Sequence, residues 1–168
     1  MKIISGTFRS LKIKTNQKLS YRPTKSRVRQ SIFDTLRPYE FDNVLDLFSG
    51  SGIMGFEAAS RGSQHITFVE DDYKAMALIK KNSKIFTGPS FNFIKEDVFS
   101  FLDTSKKYDL IFADPPYDKY ELEPMIEKII NLLNENGEFI LECSKKQKAI
   151  LGSKVSNYGK SRLLLWKN

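Results

Sequence analysis

The chain has 168 residues, 40% of them hydrophobic and 28% charged, which is typical of one folded domain and unlike a disordered chain. It has no apolar stretch near the roughly 20 residues of a membrane helix, and its first residues lack the apolar core of a signal peptide. One cysteine and one histidine exclude an intrachain disulfide and leave little material for a zinc site, so we expect a cytoplasmic protein without structural metal.

The positive charge is concentrated at the start of the sequence. Residues 1–37 carry ten basic side chains and one acidic one, a formal charge of +9, whereas the other 131 residues sum to −2. The basic residues are interleaved with Phe8, Tyr21 and Phe33. Such a segment favours a polyanion through phosphate contacts and counterion release, so we expect it to bind nucleic acid; a solubilising segment is the alternative.

Residues 1–40 are predicted to form an extension made of a β-hairpin and a helix. Residues 2–4 and 11–14 fit the two short strands, and Thr24 fits the N-cap of the helix that follows. The apolar stripe of this helix consists of Val28, Ile32, Phe33 and Leu36. The residues that we expect to contact phosphates are Arg22, Thr24, Arg27 and Arg29. A solvated helix face is the alternative for the arginines.

From residue 41 to residue 168, strands and helices alternate. The predicted strands are residues 44–48, 65–70, 91–94, 108–113 and 138–142, with two shorter ones near Val155 and at residues 163–166. The predicted helices are residues 53–60, 73–83, 98–102 and 122–133. Repeated βα units predict an α/β fold, a doubly wound and mostly parallel seven-stranded sheet with helices on both faces. The last two strands are expected to form an antiparallel edge hairpin.

A glycine-rich loop follows the first of these strands. Gly50, Gly52 and Gly55 match the pattern G-x-G-x-x-G, which lets the backbone turn tightly and approach a ligand held by helix amides. Glu70 ends the next strand, where an acid that binds a ribose belongs; a surface acid before a helix is the alternative. The spacing predicts an adenosine-containing ligand.

Asp46 narrows the choice of ligand. Its carboxylate would repel a pyrophosphate, whereas S-adenosylmethionine offers an ammonium and a sulfonium and no phosphate. Asp97 could accept from the adenine amino group, or it could cap the following helix. The predicted cofactor-binding residues are Asp46, Phe48, Ser49, Gly50, Ser51, Gly52, Glu70, Asp97 and Val98.

The string Asp114-Pro115-Pro116-Tyr117 ends the fourth strand. Proline lacks the donor that a sheet ladder needs, so the chain must leave the sheet there and hold a carboxylate and a ring in a stiff loop. In open α/β sheets this carboxyl edge is where ligands bind. A plain turn in which Tyr117 packs is the alternative.

The residues of this string, together with residues 46–52, resemble motifs IV and I of class I S-adenosylmethionine-dependent methyltransferases. Arg22-Pro23-Thr24, Val28-Arg29, residues 55–62 and Glu96-Asp97 are similar to one bacterial family, the 16S ribosomal RNA guanine-N2 methyltransferases (RsmD family) that modify G966. The resemblance covers nearly the whole chain. It implies a Rossmann-like class I methyltransferase fold, S-adenosylmethionine as cofactor, and 16S ribosomal RNA in a small ribosomal subunit or assembly intermediate as substrate. The small size of the chain and the lack of an obvious apolar interface helix make a monomer the default expectation.

The same resemblance implies roles for the acid-proline string. The Asp114 carboxylate and the Pro115 carbonyl would accept the two amine hydrogens of guanine, Pro116 would stiffen the loop, and Tyr117 would stack on the extruded base. Glu57 is expected to be a surface or packing acid. Three alternatives stay open here: a DNA adenine-N6 methyltransferase, a nicotinamide oxidoreductase and a non-catalytic RNA-binding module.

Overall fold

The computed structural model describes residues 1–15, 26–116, 120–150 and 152–168. The helices are α1 (Ser26–Thr35), α2 (Ile53–Ser60), α3 (Tyr73–Ser83), α4 (Val98–Phe101) and α5 (Leu122–Ile130). The strands are β1 (Asn43–Leu47), β2 (His65–Val69), β3 (Ser90–Ile94), β4 (Tyr108–Ala113), β5 (Leu133–Ser144), β6 (Lys154–Tyr158) and β7 (Ser161–Lys167). None of the helices in these ranges has the length and apolar character that crossing a membrane requires.

The seven strands form one sheet in the order β3-β2-β1-β4-β5-β7-β6. β1 to β5 pair in parallel, and β7 runs antiparallel to both of its neighbours. The predicted α/β sheet and its antiparallel closing hairpin are confirmed. The strand order reverses between β1 and β4, and the crevice outside the carboxyl ends of two such strands is where this architecture binds ligands.

Hydrophobic clusters cover the two faces of the sheet. On one face, α1 and α2 pack on side chains such as Val44 and Phe112. On the other face, α4 and α5 pack on side chains such as Leu45 and Ile111. The predicted stripe of α1 is buried, and Ile3 and Ile13 of the N-terminal segment share its cluster. The division of the chain at residue 40 stays a prediction, because the extension and the sheet share a hydrophobic cluster.

β5 begins earlier than the sequence predicted. We expected a helix as far as Leu133, but α5 ends at Ile130 and Leu133 is the first residue of β5. The pairing of β4 with β5 shifts in register between Tyr108 and Leu110. Leu133 is buried as expected, but as the start of a strand. A buried leucine at helical spacing does not by itself show whether the residue ends a helix or begins a strand.

The predicted N-terminal hairpin is reduced to a single antiparallel bridge between Lys2 and Lys12. The backbone N–H of Ile3 donates to the carbonyl of Leu11 (3.0 Å) beside it. Gly6 closes the turn at a φ of 84°, and a Cβ there would lie 1.7 Å from the carbonyl oxygen of Ser60. This segment is shaped by its contact with the end of α2 more than by strand pairing.

Glu57 of α2 anchors the extension from inside the protein. Its side chain is fully buried, and Oε1 accepts from the backbone N–H of Ile4 (2.7 Å) and from Nε of Arg29 (3.0 Å). Arg61 pairs with the second oxygen, and another nitrogen of Arg29 donates to the carbonyl of Lys2 (2.8 Å). Of the two roles that the sequence allowed for Glu57, a surface acid or a packing acid, the structure shows the packing acid.

The structure contradicts the predicted phosphate contact of Arg29. The side chain is 1% exposed and bonded to Glu57, so it cannot reach a phosphate on the surface. Helical periodicity placed Arg29 beside the apolar stripe, but its buried partner lies 28 residues further along the chain. Only the tertiary fold reveals such a partner.

We expect Glu57→Gln to lower the free energy of unfolding by about 3 kcal/mol, because removing one partner of a buried ion pair leaves an uncompensated charge. The matched control is Asp34→Asn, since Asp34 forms an exposed pair with Arg37 and its loss should cost less than about 1 kcal/mol. Urea denaturation of both variants measures the difference. Equal losses in the two variants would contradict the anchoring role of Glu57.

Candidate functional site

The predicted site residues follow three neighbouring strands at the carboxyl edge of the sheet. Leu47 pairs with Val69 on one side and with Ala113 on the other. The residues that directly follow these three are Phe48, Glu70 and Asp114. Strand register thus brings the glycine loop, the predicted ribose-binding acid and the acid-proline string to one edge, at the point where the strand order reverses.

The glycine loop turns through several left-handed residues. Phe48, Gly50 and Gly52 have φ values of 54°, 51° and 73°. The N–H of Gly52 donates to the carbonyl of Ser49 (2.6 Å), and a Cβ on Gly52 would lie 2.9 Å from the ring of Phe56. The turn therefore requires glycine at Gly52 for both its backbone conformation and its close contact.

The third glycine of the pattern has a packing role. Gly55 lies within α2, and a Cβ there would come within 2.4 Å of the ring of Phe68 on β2. Its absence lets the helix lie close to the sheet, which holds the first turn of α2 behind the loop. The G-x-G-x-x-G spacing thus serves the turn and the helix packing together.

Glu70 ties the loop to the start of α3. Its Oε2 accepts from the N–H of Gly50 (2.7 Å), and its Oε1 accepts from the N–H of Asp72 (2.9 Å). Burial raises the pKa of Glu70, and these two amide bonds act in the opposite direction. Each carboxylate oxygen has a further lone pair that could accept from a ribose hydroxyl. The geometry is therefore compatible with the predicted ribose contact, which stays a prediction.

Asp46 is a buried carboxyl group, 3% exposed, beneath the glycine loop. Its Oδ2 accepts from the N–H of Gly55 (2.9 Å). The pKa of Asp46 is raised to about 8, mainly by burial; the bond from the Gly55 amide lowers it, and the charge of Glu70 contributes a smaller increase. A positive group bound beside Asp46 would favour the carboxylate form. The site therefore suits a ligand that carries an ammonium.

Asp97 caps α4. Its Oδ1 accepts from the backbone N–H groups of Phe99 (2.9 Å) and Ser100 (3.4 Å), which is the structural alternative that the sequence left open. The Asp97 side chain is exposed, and its second oxygen could accept from an adenine amino group. This contact stays a prediction. Val98 is buried in the cluster below, and Ser49 and Ser51 are buried in the loop.

The acid-proline string leaves the sheet as expected. Asp114 is half-buried, Pro115 is buried and Pro116 is exposed. Tyr117 lies outside the described residues, so its predicted stacking role stays a prediction. The same holds for the predicted phosphate contacts of Arg22 and Thr24, which also lie outside the described ranges.

Arg27 is the one predicted phosphate contact within the described ranges that the structure leaves at the surface. It lies in the first turn of α1, on the side away from the buried stripe. Its predicted role stays a prediction.

Sequence reasoning missed an aromatic cluster at this edge. The ring of Tyr120 lies 5.5 Å from that of Phe48 and 5.3 Å from that of Phe99, measured between centroids. These three rings come from the segments after β1, β3 and β4. The sequence carries no signal for the cluster, because its members are far apart in the chain and only the strand order brings them together.

Taken together, the edge offers a buried carboxyl group suited to a cation, a tight glycine turn in front of a helix, and an acid in a stiff loop beside them. Within the described ranges, no group of three or more His, Cys, Asp or Glu side chains could hold a metal ion. The arrangement suits a positively charged, adenosine-containing ligand placed next to a polar reacting group.

The chain is similar to known proteins over most of its length. A family model described as conserved hypothetical protein 95 matches residues 1–165. Ribosomal RNA small subunit methyltransferase D of Buchnera aphidicola subsp. Acyrthosiphon pisum is 33% identical over 167 residues, covering 94% of this chain and 85% of that protein. The Escherichia coli (strain K12) protein of the same name is 32% identical over 139 residues, covering 82% of this chain and 68% of that protein.

A solved structure extends this similarity to three dimensions. A hypothetical protein of Thermus thermophilus superposes with a TM-score of 0.88 at 29% sequence identity. The match covers 100% of this chain and 99% of that one. The N-terminal segment and the sheet therefore both have counterparts in one known fold.

The raised pKa of Asp46 predicts a pH-dependent stability. Between about pH 4 and pH 8 the folded protein keeps the Asp46 proton that the unfolded chain loses, so the free energy of unfolding falls with rising pH by at most about 1.4 kcal/mol per unit. Asp46→Asn, which preserves an acceptor for Gly55, should flatten this slope in urea denaturation at pH 5 and pH 7.5. Asp103→Asn, at an exposed acid, should keep the wild-type slope, and an unchanged slope in Asp46→Asn would contradict the assignment.

Proposed function

This chain belongs to the conserved hypothetical protein 95 family and is a methyltransferase of the RsmD type, and we propose that its target is the exocyclic N2 of guanine G966 in 16S ribosomal RNA. The fold is the Rossmann-like class I methyltransferase fold, with S-adenosylmethionine as the cofactor. The relatives named ribosomal RNA small subunit methyltransferase D support ribosomal RNA as the substrate class. Those names do not specify the modified nucleotide or the modified atom, so G966 and the N2 of guanine are part of the proposal.

The observation that carries the proposal is the register of β1 against β4. Leu47 pairs with Ala113, so the cofactor loop and Asp114 begin side by side at the switch point of the sheet. A methyl donor held by the loop therefore lies next to the acid-proline string. This adjacency is what a transfer between cofactor and an amino group requires.

The residues of the loop fit the charges of S-adenosylmethionine, which supplies a methyl group on a positively charged sulfur. Asp46 would hold the ammonium of the cofactor, because a nearby cation stabilises the ionised form of its buried carboxyl group. Glu70 would accept from the ribose hydroxyls, and Asp97 from the adenine amino group. The aromatic cluster around Tyr120 would shield the bound cofactor from water.

The acid-proline string would activate the amine of guanine. This amine is a weak nucleophile, since its lone pair is delocalised into the ring. The Asp114 carboxylate and the Pro115 carbonyl would accept its two hydrogens and favour a more tetrahedral nitrogen. Bound S-adenosylmethionine would supply the methyl group and keep the electron pair of its S–C bond, and one amine proton would pass to Asp114 or to water. Tyr117 stacks on the base once it is extruded.

Binding of the RNA would begin at the extension. Arg27 is exposed on α1, and residues 16–25 add Lys18, Arg22 and Lys25 to the sequence that precedes it. Phosphate contacts of this kind position an RNA without reading its bases. We propose that a monomer acts in the cytoplasm on a small ribosomal subunit or an assembly intermediate.

Asp114→Ala tests the catalytic assignment. We expect kcat for methyl transfer to fall by about 10²–10³, the usual effect of removing one fixed group that stabilises the transition state. The Kd for S-adenosylmethionine, measured by calorimetry, should stay unchanged. The control variant Asp103→Ala removes an exposed acid on another segment and should keep full activity. A wild-type kcat in Asp114→Ala would contradict the catalytic assignment and leave a plain turn as the role of this string.

Labelled S-adenosylmethionine tests the substrate. Small ribosomal subunits from a strain that lacks the enzyme should accept one methyl group, and digestion should identify N2-methylguanine at G966. Methylated adenine in duplex DNA, with no label in the subunits, would instead establish a DNA adenine-N6 methyltransferase. Tight binding of NAD without binding of S-adenosylmethionine would establish an oxidoreductase.

A further inference from the structure

Two segments that are distant in the sequence are basic and contain no acidic residue. Residues 1–15 carry Lys2, Arg9, Lys12 and Lys14. Residues 73–95, which form α3, β3 and their connection, carry Lys74, Lys80, Lys81, Lys84 and Lys95. The charge distribution along the chain marks only the first segment as unusual, because acids on either side of residues 73–95 balance the second.

The fold joins these segments into one surface. Asn82, in the last turn of α3, is 2% exposed and bonds twice to the backbone of Lys14. Its Oδ1 accepts from the N–H (3.1 Å) and its Nδ2 donates to the carbonyl (2.9 Å). The ring of Phe8 packs edge-on against that of Phe86, with 4.8 Å between their centroids. The N-terminal segment is therefore fixed along the end of α3.

We define the α3 basic surface by six exposed cations from the two segments. They are Arg9, Lys12, Lys14, Lys80, Lys81 and Lys84. Among the residues that the structure describes, the ion pairs of this protein involve other side chains. Lys80 lies 5.7 Å from the ring centroid of Phe93, a contact that leaves its charge uncompensated.

Helix electrostatics explain part of this arrangement. Lysines in the last turn of a helix gain about 0.3–1 kcal/mol each from the helix dipole, which accounts for Lys80 and Lys81. The dipole gives no reason for Arg9, Lys12 and Lys14 to gather at the same place. Like charges without a partner repel and destabilise the folded state, so such a concentration favours a bound polyanion.

The surface is remote from the reacting atoms. α3 begins just after Glu70 at the carboxyl edge and runs back antiparallel to β2 and β3 for 11 residues, about 16 Å. Its last turn therefore reaches nucleotides other than the one in the active site. A single nucleotide cannot contact both places, so the contact requires an extended or folded RNA.

We propose that the α3 basic surface binds phosphates of the 16S ribosomal RNA that flanks the target guanine, and so holds the substrate in place for methyl transfer. This inference rests on the proposed function. Phosphate contacts carry little base specificity, so the surface contributes affinity and orientation while the acid-proline string selects the reacting group. It extends the RNA-binding part of the protein beyond the N-terminal extension to an element of the sheet domain.

The test compares two variants, each of which lacks three lysine charges, one at the α3 basic surface and one elsewhere. One variant carries Lys80→Gln, Lys81→Gln and Lys84→Gln. The control carries Lys146→Gln, Lys154→Gln and Lys160→Gln, which are exposed and lie in or next to β5, β6 and β7, at the other end of the sheet from β3. A third variant with arginine at the three α3 positions keeps the charge. Thermal melts should show one cooperative transition for all three variants, with the α3 glutamine variant slightly below the wild type because it loses the helix-dipole interaction of Lys80 and Lys81.

The readouts are the Kd for protein-free 16S ribosomal RNA as a function of salt, the Kd for S-adenosylmethionine, and kcat and KM with small subunits. For the α3 glutamine variant we expect Kd for RNA and KM to rise about tenfold. The slope of log affinity against log salt should drop by about 2, since each phosphate contact contributes about 0.7. The control and arginine variants should stay near the wild type, and kcat and cofactor affinity should not change.

Equal losses in the α3 variant and the control would overturn the proposal, because net charge alone would explain them. Weakened binding to particles but not to protein-free RNA would also overturn it, since the surface would then contact a ribosomal protein. Absence of methyl transfer by the wild type would instead overturn the proposed function, independently of how the variants compare.

Discussion

The buried carboxylate of Glu57 is the interaction on which the arrangement of this protein depends. It holds the guanidinium groups of Arg29 and Arg61 and the backbone N–H of Ile4 within the protein interior. Burying a charge is costly unless the charge is paired and hydrogen-bonded. Packing of the extension therefore depends on these partners remaining in contact with Glu57. α1 and the N-terminal segment are thereby fixed to one helix of the sheet domain.

That helix, α2, also begins directly after the glycine loop of the candidate cofactor site. Its residues are buried on all sides, its first turn follows the glycine loop, and its last turn bonds to the N-terminal segment through Ser60, which donates to the Ser5 carbonyl (2.6 Å). Gly55 lets the helix approach Phe68, so a shift of α2 would strain the sheet. This buried helix holds the N-terminal extension in a defined position relative to the glycine loop, which the proposed roles in RNA binding and cofactor binding require.

The order of the elements, the glycine turn and the edge that holds the site could be predicted because they depend on local pattern. Alternation of βα units, glycines at fixed spacing and prolines that end a strand all act over a few residues. The role of Arg29 could not be predicted from the sequence, because its partner Glu57 lies on another helix. The cluster of Tyr120 with Phe48 and Phe99 was missed for the same reason, since strand order brings its members together. Asp97 shows an intermediate case, in which the pattern allowed a cap and a ligand contact at one residue.

The charges along α3 resolve a conflict that the substrates create. The cofactor is a cation, whereas the RNA is a polyanion, so one protein must present fields of both signs. Acids precede the first turn of α3, at Glu70, Asp71 and Asp72, while lysines occupy its last turn and beyond. Both sets agree with the helix dipole. Since the screening length at physiological salt is about 8 Å and the helix is about 16 Å long, the lysines would hardly weaken the attraction of the acidic end for a bound cofactor. With the binding roles proposed above, the length of one helix would let the two substrates bind the same small domain.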